Sequence, residues 1–420
     1  MDDTSARPGL LRRIPLYVQI VIALIIGVAA GELLPASWTQ RLDIPARMLL
    51  QFLGAVAPPL ILIAVMRALI TAQVRGRLAG KMFFLLALNT LVAILIGLLV
   101  ANVLRPGVHK TSSAAPGEEY HVGGDLVAQL LSNIPSSLLR PLVDNNVIGV
   151  IIIAVAFGLA ARRLQPTRRQ KVVDALDIGF DLILIVLHWI ITLVPLAVFC
   201  KVAFYVGTQG YRPFVALGWF IVAVIVALLL QATYYLLRVW MSSWVRPPRL
   251  LKGTRDALAI AFSTGSSVVA MPVTYACLRE KVGLREESAS LGALVGSNFN
   301  NDGTALYEAM AALFVAQMIG VHLNLAQQAM VVLTSVIASV GAAGIPEAGL
   351  VTMTLVFSAV GLPTGYIALL LPVDWFLDRC RTAINVMGDM NVSCILDGKI
   401  PHREKHDPRL AALTEPAAAV

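Results

Sequence analysis

The run Ala368–Leu396 is apolar except for a row of side chains able to do chemistry: Asp374, Asp378, Arg381, Thr382, Asn385 and Asp389. The acids, Arg381 and Asn385 follow one another at steps of four, three, four and four, which puts them on one face of an α-helix. A guanidinium can hold a carboxylate through two parallel hydrogen bonds, and an aspartate can hold an ammonium. One Arg and one Asp three residues apart therefore suit an amino acid with a second carboxylate. Upstream, Asn298–Thr304 supplies Asn300 and Asp302 beside Gly303, as Asn385 and Asp389 stand beside Gly388. Such oxygens, with the carbonyls that nearby glycines free, suit alkali and alkaline-earth cations. A plainer account of the same residues also stands. Arg381 and Asp378 can be an intrahelical ion pair, Asp374 can cap or pair early in its helix, and Glu308 can point into a polar loop.

The elements that must position these groups are apolar. Of 420 residues, 58% are hydrophobic and 14% charged, against about 25% charged in soluble domains, and the mean hydropathy is +0.78. Long apolar runs recur from Pro15 to Leu396, so the chain reads as an all-α polytopic membrane protein. Ionisable groups are costly at membrane depth, so a whole row of them marks a site or a pathway. Spans are expected near 15–35, 46–70, 82–104, 142–163, 174–206 and 213–242, the fifth of them long and the second holding Pro58-Pro59. The first follows Arg12 and Arg13 without a small-residue cleavage site, and so reads as a retained helix and not a signal peptide.

The net charge of +8 is no nucleic-acid footprint, because its residues gather in alternate connections. Arg7, Arg12 and Arg13 precede the first run, Arg75, Arg77 and Lys81 lie between the second and third, Arg162–Lys171 follow the fourth, and Arg246–Arg255 follow the sixth. The other connections, around 36–44, 117–125 and 208–211, are poor in Lys and Arg. The positive-inside rule then puts both termini in the cytoplasm of a multi-pass plasma (or bacterial inner) membrane protein, with 110–125 as an extracellular loop. Cys200, Cys277, Cys380 and Cys394 show no metal-ligand spacing and read as small buried hydrophobes; His188 reads as packed or interfacial. The tail 399–420 reads as disordered.

After Arg255 the texture changes. AFSTGSSVVAMP (261–272) and ASVGAAGIPEAG (338–349) place Gly, Ser and Pro inside apolar runs. These residues favour non-helical backbone, so each run reads as two half-helices meeting at a tip. Irregular backbone at membrane depth survives only where buried in protein or lining a wet cavity. Half-helix N-termini at such tips offer N–H groups to an anion, although the serines can also be packing glue between helices. Each hairpin is followed by a helix with a polar interruption, NFNNDGT and then NVMGD. Repeated broken helices are a mark of secondary transporters. The total is eight transmembrane helices plus two re-entrant helical hairpins.

Four motifs, AFSTGSSVVAMP, NNDGTALYEAMAALFVAQ, ASVGAAGIPEAGLVTM and VDWFLDRCRTAINVMGD, resemble the glutamate and neutral amino acid transporter family, the dicarboxylate/amino acid:cation symporters. The last two look closer to the animal-type glutamate transporters. The resemblance is strong over roughly 255–395 and looser before. It implies a homotrimer working as an elevator, with no cofactor, and membrane lipid and an acidic amino acid as partners. Scaffold segments would be 1–81 and 111–212, and a mobile transport domain would comprise 82–110 and 213–398, with 399–420 as a cytoplasmic tail.

The resemblance also implies roles. Arg381 would bind the substrate's side-chain carboxylate and Asp378 its amino group. Thr382, Asn385 and Thr304 would complete the pocket, with backbone at Ser266, Ser267 and Ile345–Gly349 on the α-carboxylate side. One sodium site would use Asp389 with carbonyls near Gly296, Asn300 and Asn385. A second would use Asn300, Asp302, Asn89 and Thr90, and a third the carbonyls of Ser339, Val340 and Ala342. Glu308 would carry a coupled proton. This chain departs from the family pattern at Asn301, a methionine position, at Asn89 and Leu86, threonine and tyrosine positions, and at Gly265, Val268 and Glu347. Several departures fall on cation sites, so sodium, protons or both remain open as coupling ions.

The reading is therefore a secondary-active symporter of aspartate or glutamate. Its rivals are a carrier of a C4-dicarboxylate or neutral amino acid and an anion-conducting channel. Arg381 argues against neutral substrates and Asp378 against plain dicarboxylates. An intramembrane enzyme is disfavoured, since no motif places a base near Ser266.

Overall fold

The computed structural model describes residues 15–71, 77–108, 135–144, 146–341 and 348–400, which form helices and connections with no strand among them. In chain order the longer helices are α1 (Leu16–Leu33), α2 (Asp43–Thr71), α3 (Arg77–Leu104), α4 (Val147–Arg162), α5 (Pro166–Ile191), α6 (Val194–Gln209) and α7 (Arg212–Ser242). They continue with α8 (Pro247–Thr264), α9 (Ser267–Ala276), α10 (Asp302–Met318), α11 (Leu325–Gly341), α12 (Ala348–Ala359) and α13 (Ile367–Asp397). The stretches Ala36–Thr71, Gly80–Leu104 and Pro213–Ser242 are long and apolar enough to cross a membrane, and α5 with α6, bent by 40°, brings these to as many as four. Val18–Leu33, Gly149–Arg162 and Leu325–Ser339 are apolar but shorter.

Several expected boundaries move. The single long run 174–206 is two helices broken at Thr192–Leu193, with Pro195 in the first turn of α6. A proline has no N–H to give the carbonyl four residues back and is accommodated most cheaply in the first turn of a helix. Arg77 and Lys81 lie inside α3 instead of a loop, and Arg249, Lys252 and Arg255 lie inside α8. The polar NVMGD segment lies within an unbroken helix, α13. His188 is exposed on α5 rather than packed. Cys200, Cys277 and Cys394 are buried and Cys380 is half-buried, all as free thiols.

Packing falls into two groups. α1 lies along α6, and α2 packs on α4, α5 and α6. In the second group α3 packs on α10, α7 on α13, α8 on α9 and α13, and α11 on α12. The groups meet where α2 touches α11 and α12 and where α6 touches α13. Within the first, Lys201 of α6 donates to Asp43 Oδ1 at 2.6 Å and lies 5.0 Å from the ring centres of Phe204 and Tyr205. Both charges are buried, so α2 and α6 are held in register by a pair that neither can leave cheaply.

Candidate functional site

The polar row of α13 faces inward. Asp374, Asp378, Arg381, Thr382, Asn385 and Asp389 are all buried, and Arg381 is the largest side chain with no exposure. Its Nη1 donates to Asp374 Oδ1 at 2.9 Å and its Nη2 to Asp378 Oδ1 at 2.8 Å. The face of Tyr307, from α10, lies 4.0 Å from the guanidinium carbon. Gly349 of α12 approaches so closely that a Cβ there would stand 3.1 Å from Nη2. Asp374 is thus a direct partner of Arg381, and its Oδ2 has no hydrogen-bond partner among the described residues.

The tip between α8 and α9 reaches the same place. Gly265 ends α8 at φ +65, ψ 24, the left-handed conformation that a glycine adopts at little cost. A Cβ on Gly265 would stand 3.0 Å from Asp378 Oδ2. Ser266 then caps α9, accepting from the Val269 N–H at 3.4 Å, and Ser267 Oγ is buried without a partner among the described residues. Thr382 donates to the Asp378 carbonyl at 2.8 Å, and Thr304 is buried in the first turn of α10. Ile345 and Ala342, like Glu347, fall outside the described residues.

The oxygens expected to meet cations gather at the break before α10. The chain runs as π-turns over Ser290–Val295 and a 3-10 turn over Gly296–Asn298 before α10 begins at Asp302. Asn300 Nδ2 donates to the Asn385 carbonyl at 2.8 Å and to Asp389 Oδ1 at 3.0 Å, leaving Asn300 Oδ1 without a partner among the described residues. Gly296 backs onto the same carboxylate, since a Cβ there would lie 3.2 Å from Asp389 Oδ1. Asp302 accepts from Thr90 at 2.5 Å and, through its other oxygen, from Tyr235. Asn301 Nδ2 donates to the Ser339 carbonyl at 2.9 Å, so its amide bonds one of the carbonyls assigned to the third site; Val340 follows in the last turn of α11. Glu308 is buried, accepts from Thr352 at Oε1, and has no partner at Oε2 among the described residues. No three His, Cys, Asp or Glu side chains among the described residues converge on a metal-sized space, so a cation here would need amide and carbonyl oxygens as well.

Asn385 joins these parts. Its Oδ1 accepts from the Gly303 N–H at 2.8 Å, and its Nδ2 faces Asn301 Oδ1 at 3.4 Å. Gly303 allows this approach: a Cβ would fall 2.6 Å from the Arg381 carbonyl oxygen and 3.0 Å from its Cα. Both are backbone atoms and cannot swing aside. Gly303→Ala is therefore expected to lower stability by about 1–3 kcal/mol, read as a fall in the melting temperature of the purified protein. An unchanged melting temperature would show that α10 and α13 tolerate separation.

A model of the sodium:dicarboxylate symporter family matches residues 16–399. The chain belongs to the sodium:dicarboxylate symporter family. Among curated relatives, the chain is 40% identical over 247 residues to excitatory amino acid transporter 2 of Homo sapiens, covering 58% of this chain and 43% of that one. It is 36% identical over 273 residues to an excitatory amino acid transporter of Caenorhabditis elegans, covering 64% and 54%. With excitatory amino acid transporter 1 of Bos taurus the figures are 35% over 271 residues, 62% and 48%. The matches thus span about half the length of these relatives. The family is described as one of sodium:dicarboxylate symporters.

The residues that the sequence reading passed over in this chain are Tyr307, Thr352, Tyr235 and Arg238. The last two carried a legible signal, an ionisable side chain inside a long apolar run.

Proposed function

We propose that the chain carries aspartate and glutamate across the plasma membrane by secondary-active symport. The observation that carries the reading is the convergence on Arg381: one buried guanidinium, Asp378 three residues earlier, the Gly265–Ser266 tip and Gly349 of α12. Arg381 would take the substrate's side-chain carboxylate, Asp378 its ammonium, and the backbone of the two tips its α-carboxylate. Thr304, Thr382 and Asn385 would complete the pocket. Asp389 with Asn300, Gly296 and Asn385 would hold a sodium ion, and Glu308 would carry a proton.

The two packing groups support a division into a scaffold and a moving transport domain in a homotrimer, with eight spans, two re-entrant hairpins and both termini cytoplasmic. The test of the function is uptake of labelled aspartate and glutamate into proteoliposomes under separately imposed sodium, proton and potassium gradients. Uptake of neither substrate under any gradient would overturn the reading.

The Asn301 amide bears on the coupling ion. Donating to the Ser339 carbonyl, it supplies a bond that a cation would otherwise make at the end of α11, so coupling would lean less on sodium and more on the proton at Glu308. With the ion at Asp389 as the remaining sodium contribution, substrate binding to purified protein is expected to tighten only shallowly from choline to sodium chloride. Binding that tightens steeply with sodium would refute this, and Asn301→Met would then change little.

A further inference from the structure

An arginine that the substrate site does not use stands beside one of the oxygen clusters. Arg238 lies in α7, an otherwise apolar helix in which a charged side chain requires a partner. Its Nη1 donates to Asn89 Oδ1 on α3, and also to the Tyr234 hydroxyl at 3.2 Å. The guanidinium carbon lies 5.4 Å from the Tyr234 ring centre, a cation–π distance. Asn89 is fully buried, and its Nδ2 donates to Asn391 Oδ1 at 3.3 Å. The next residue on α3, Thr90, and the neighbour of Tyr234 on α7, Tyr235, donate to the two oxygens of Asp302. Asn89, Thr90, Tyr235 and Asp302 are thus one buried cluster spanning α3, α7 and α10, with Arg238 at its edge. The field of the guanidinium reaches the Asp302 carboxylate.

The neighbouring cluster is the contrast. Asp389 and Asn300 are as deeply buried, yet Asn300 keeps an oxygen without a partner, and the hydrogen bonds there come from an amide instead of a charged group. A monovalent cation needs several oxygens at once. At Asp389 such oxygens remain. At Asp302 the amide oxygen of Asn89 is engaged by a guanidinium and both carboxylate oxygens by hydroxyls; the neighbouring oxygen left without a partner among the described residues is the neutral amide Oε1 of Gln231, whose Nε2 donates to the Asn89 carbonyl at 3.4 Å.

We propose that Arg238 is a tethered cation: it supplies to the Asn89–Asp302 cluster the positive charge that a co-transported sodium ion would otherwise bring, so this cluster adds no ion to the transport stoichiometry. A guanidinium is permanently charged and weakly hydrated, so it serves without being stripped of water in each cycle. The inference rests on the cation-symport reading above, but its test is run without substrate. Failure of the acidic-amino-acid reading would appear separately, as absent uptake by the unsubstituted protein.

The full chain, Arg238→Gln and Arg238→Lys are purified, and their melting temperatures compared in choline chloride and in saturating sodium chloride. Arg238→Gln is expected to melt below the unsubstituted protein in choline. In sodium it should gain an upward shift roughly 2–4 °C larger than the unsubstituted protein gains, because a new ion binds only the folded state. Arg238→Lys keeps the charge and is expected to respond as the unsubstituted protein does. Equal sodium responses for Arg238→Gln and the unsubstituted protein, or for Arg238→Gln and Arg238→Lys, would overturn the proposal. If Arg238→Gln aggregates in choline, its recovery by sodium supports the proposal. Aggregation in both salts overturns it, since the guanidinium would then be doing something no ion replaces.

Discussion

Replacing Arg381 with cysteine is expected to weaken aspartate and glutamate binding at least about thirtyfold, the lower end of the roughly 2–5 kcal/mol lost when one partner of a buried charge pair is removed. Arg381 has no exposure and lies between Asp374 and Asp378, so its loss leaves a pocket with two buried carboxylates and no cation. That pocket repels acidic side chains. It still offers Asp378 to an ammonium, so serine or alanine uptake is the expected gain. Arg381→Cys with Asp374→Asn removes one of the two uncompensated charges, leaving Asp378 for the ammonium, and separates misfolding from lost recognition: the pair should fold better than Arg381→Cys alone and still reject aspartate. The measurement is competition of labelled substrate by unlabelled aspartate, glutamate and serine. Unchanged aspartate affinity in Arg381→Cys would end the assignment of Arg381 as the acidic-group receptor.

Glu308→Gln is expected to flatten the pH response of net uptake while leaving substrate exchange intact. Glu308 is enclosed on all sides in α10. The Thr352 hydroxyl that meets its Oε1 also lies 3.3 Å from the Gly349 carbonyl. A hydroxyl has one proton to give. When that proton goes to Gly349, a proton on Glu308 completes the Glu308–Thr352 bond, so the loading state of Glu308 is tied to the backbone that approaches Arg381. The charged group acting on Glu308 from a facing element is Arg381 of α13, itself paired with Asp374 and set against the Tyr307 ring. A proton carried inward with substrate is a co-substrate, so acidifying the outside should raise wild-type uptake. Glutamine fixes the neutral form and removes that slope. An undiminished pH response in Glu308→Gln would exclude Glu308 as the carrier.

Much of the α13 face was legible because its spacing is local. Steps of three and four place Asp378 and Asp374 within reach of Arg381 whatever the rest of the chain does. Gly265 was legible as a tip for the same reason, a glycine and serines inside an apolar run. What failed was what depends on partners far away in sequence. The reason for Gly388 lies in such partners, since α13 continues through it. A Cβ there would stand 2.3 Å from Asn300 Nδ2 and 2.9 Å from the Tyr235 hydroxyl, so this glycine makes room for neighbours instead of bending its own backbone. The break at Thr192–Leu193 was masked by continuous hydrophobicity, although Pro195 stood in plain view. Thr352 was an unremarkable residue until folding set it against Glu308.

Asn385 lies one helical turn from Arg381 and one from Asp389, and its carbonyl and amide bond Asn300 and Gly303 at the break before α10. A single residue therefore feels whatever occupies either end of the row. Thermodynamic linkage makes such an arrangement symmetric. If an ion at Asp389 tightens substrate at Arg381 by some factor, substrate must tighten the ion by that same factor. Release is then concerted in a specific sense: when the first of the two leaves, the second loses that factor of affinity at once. A carrier wired this way resists travelling half-loaded, which would dissipate a gradient without moving its cargo.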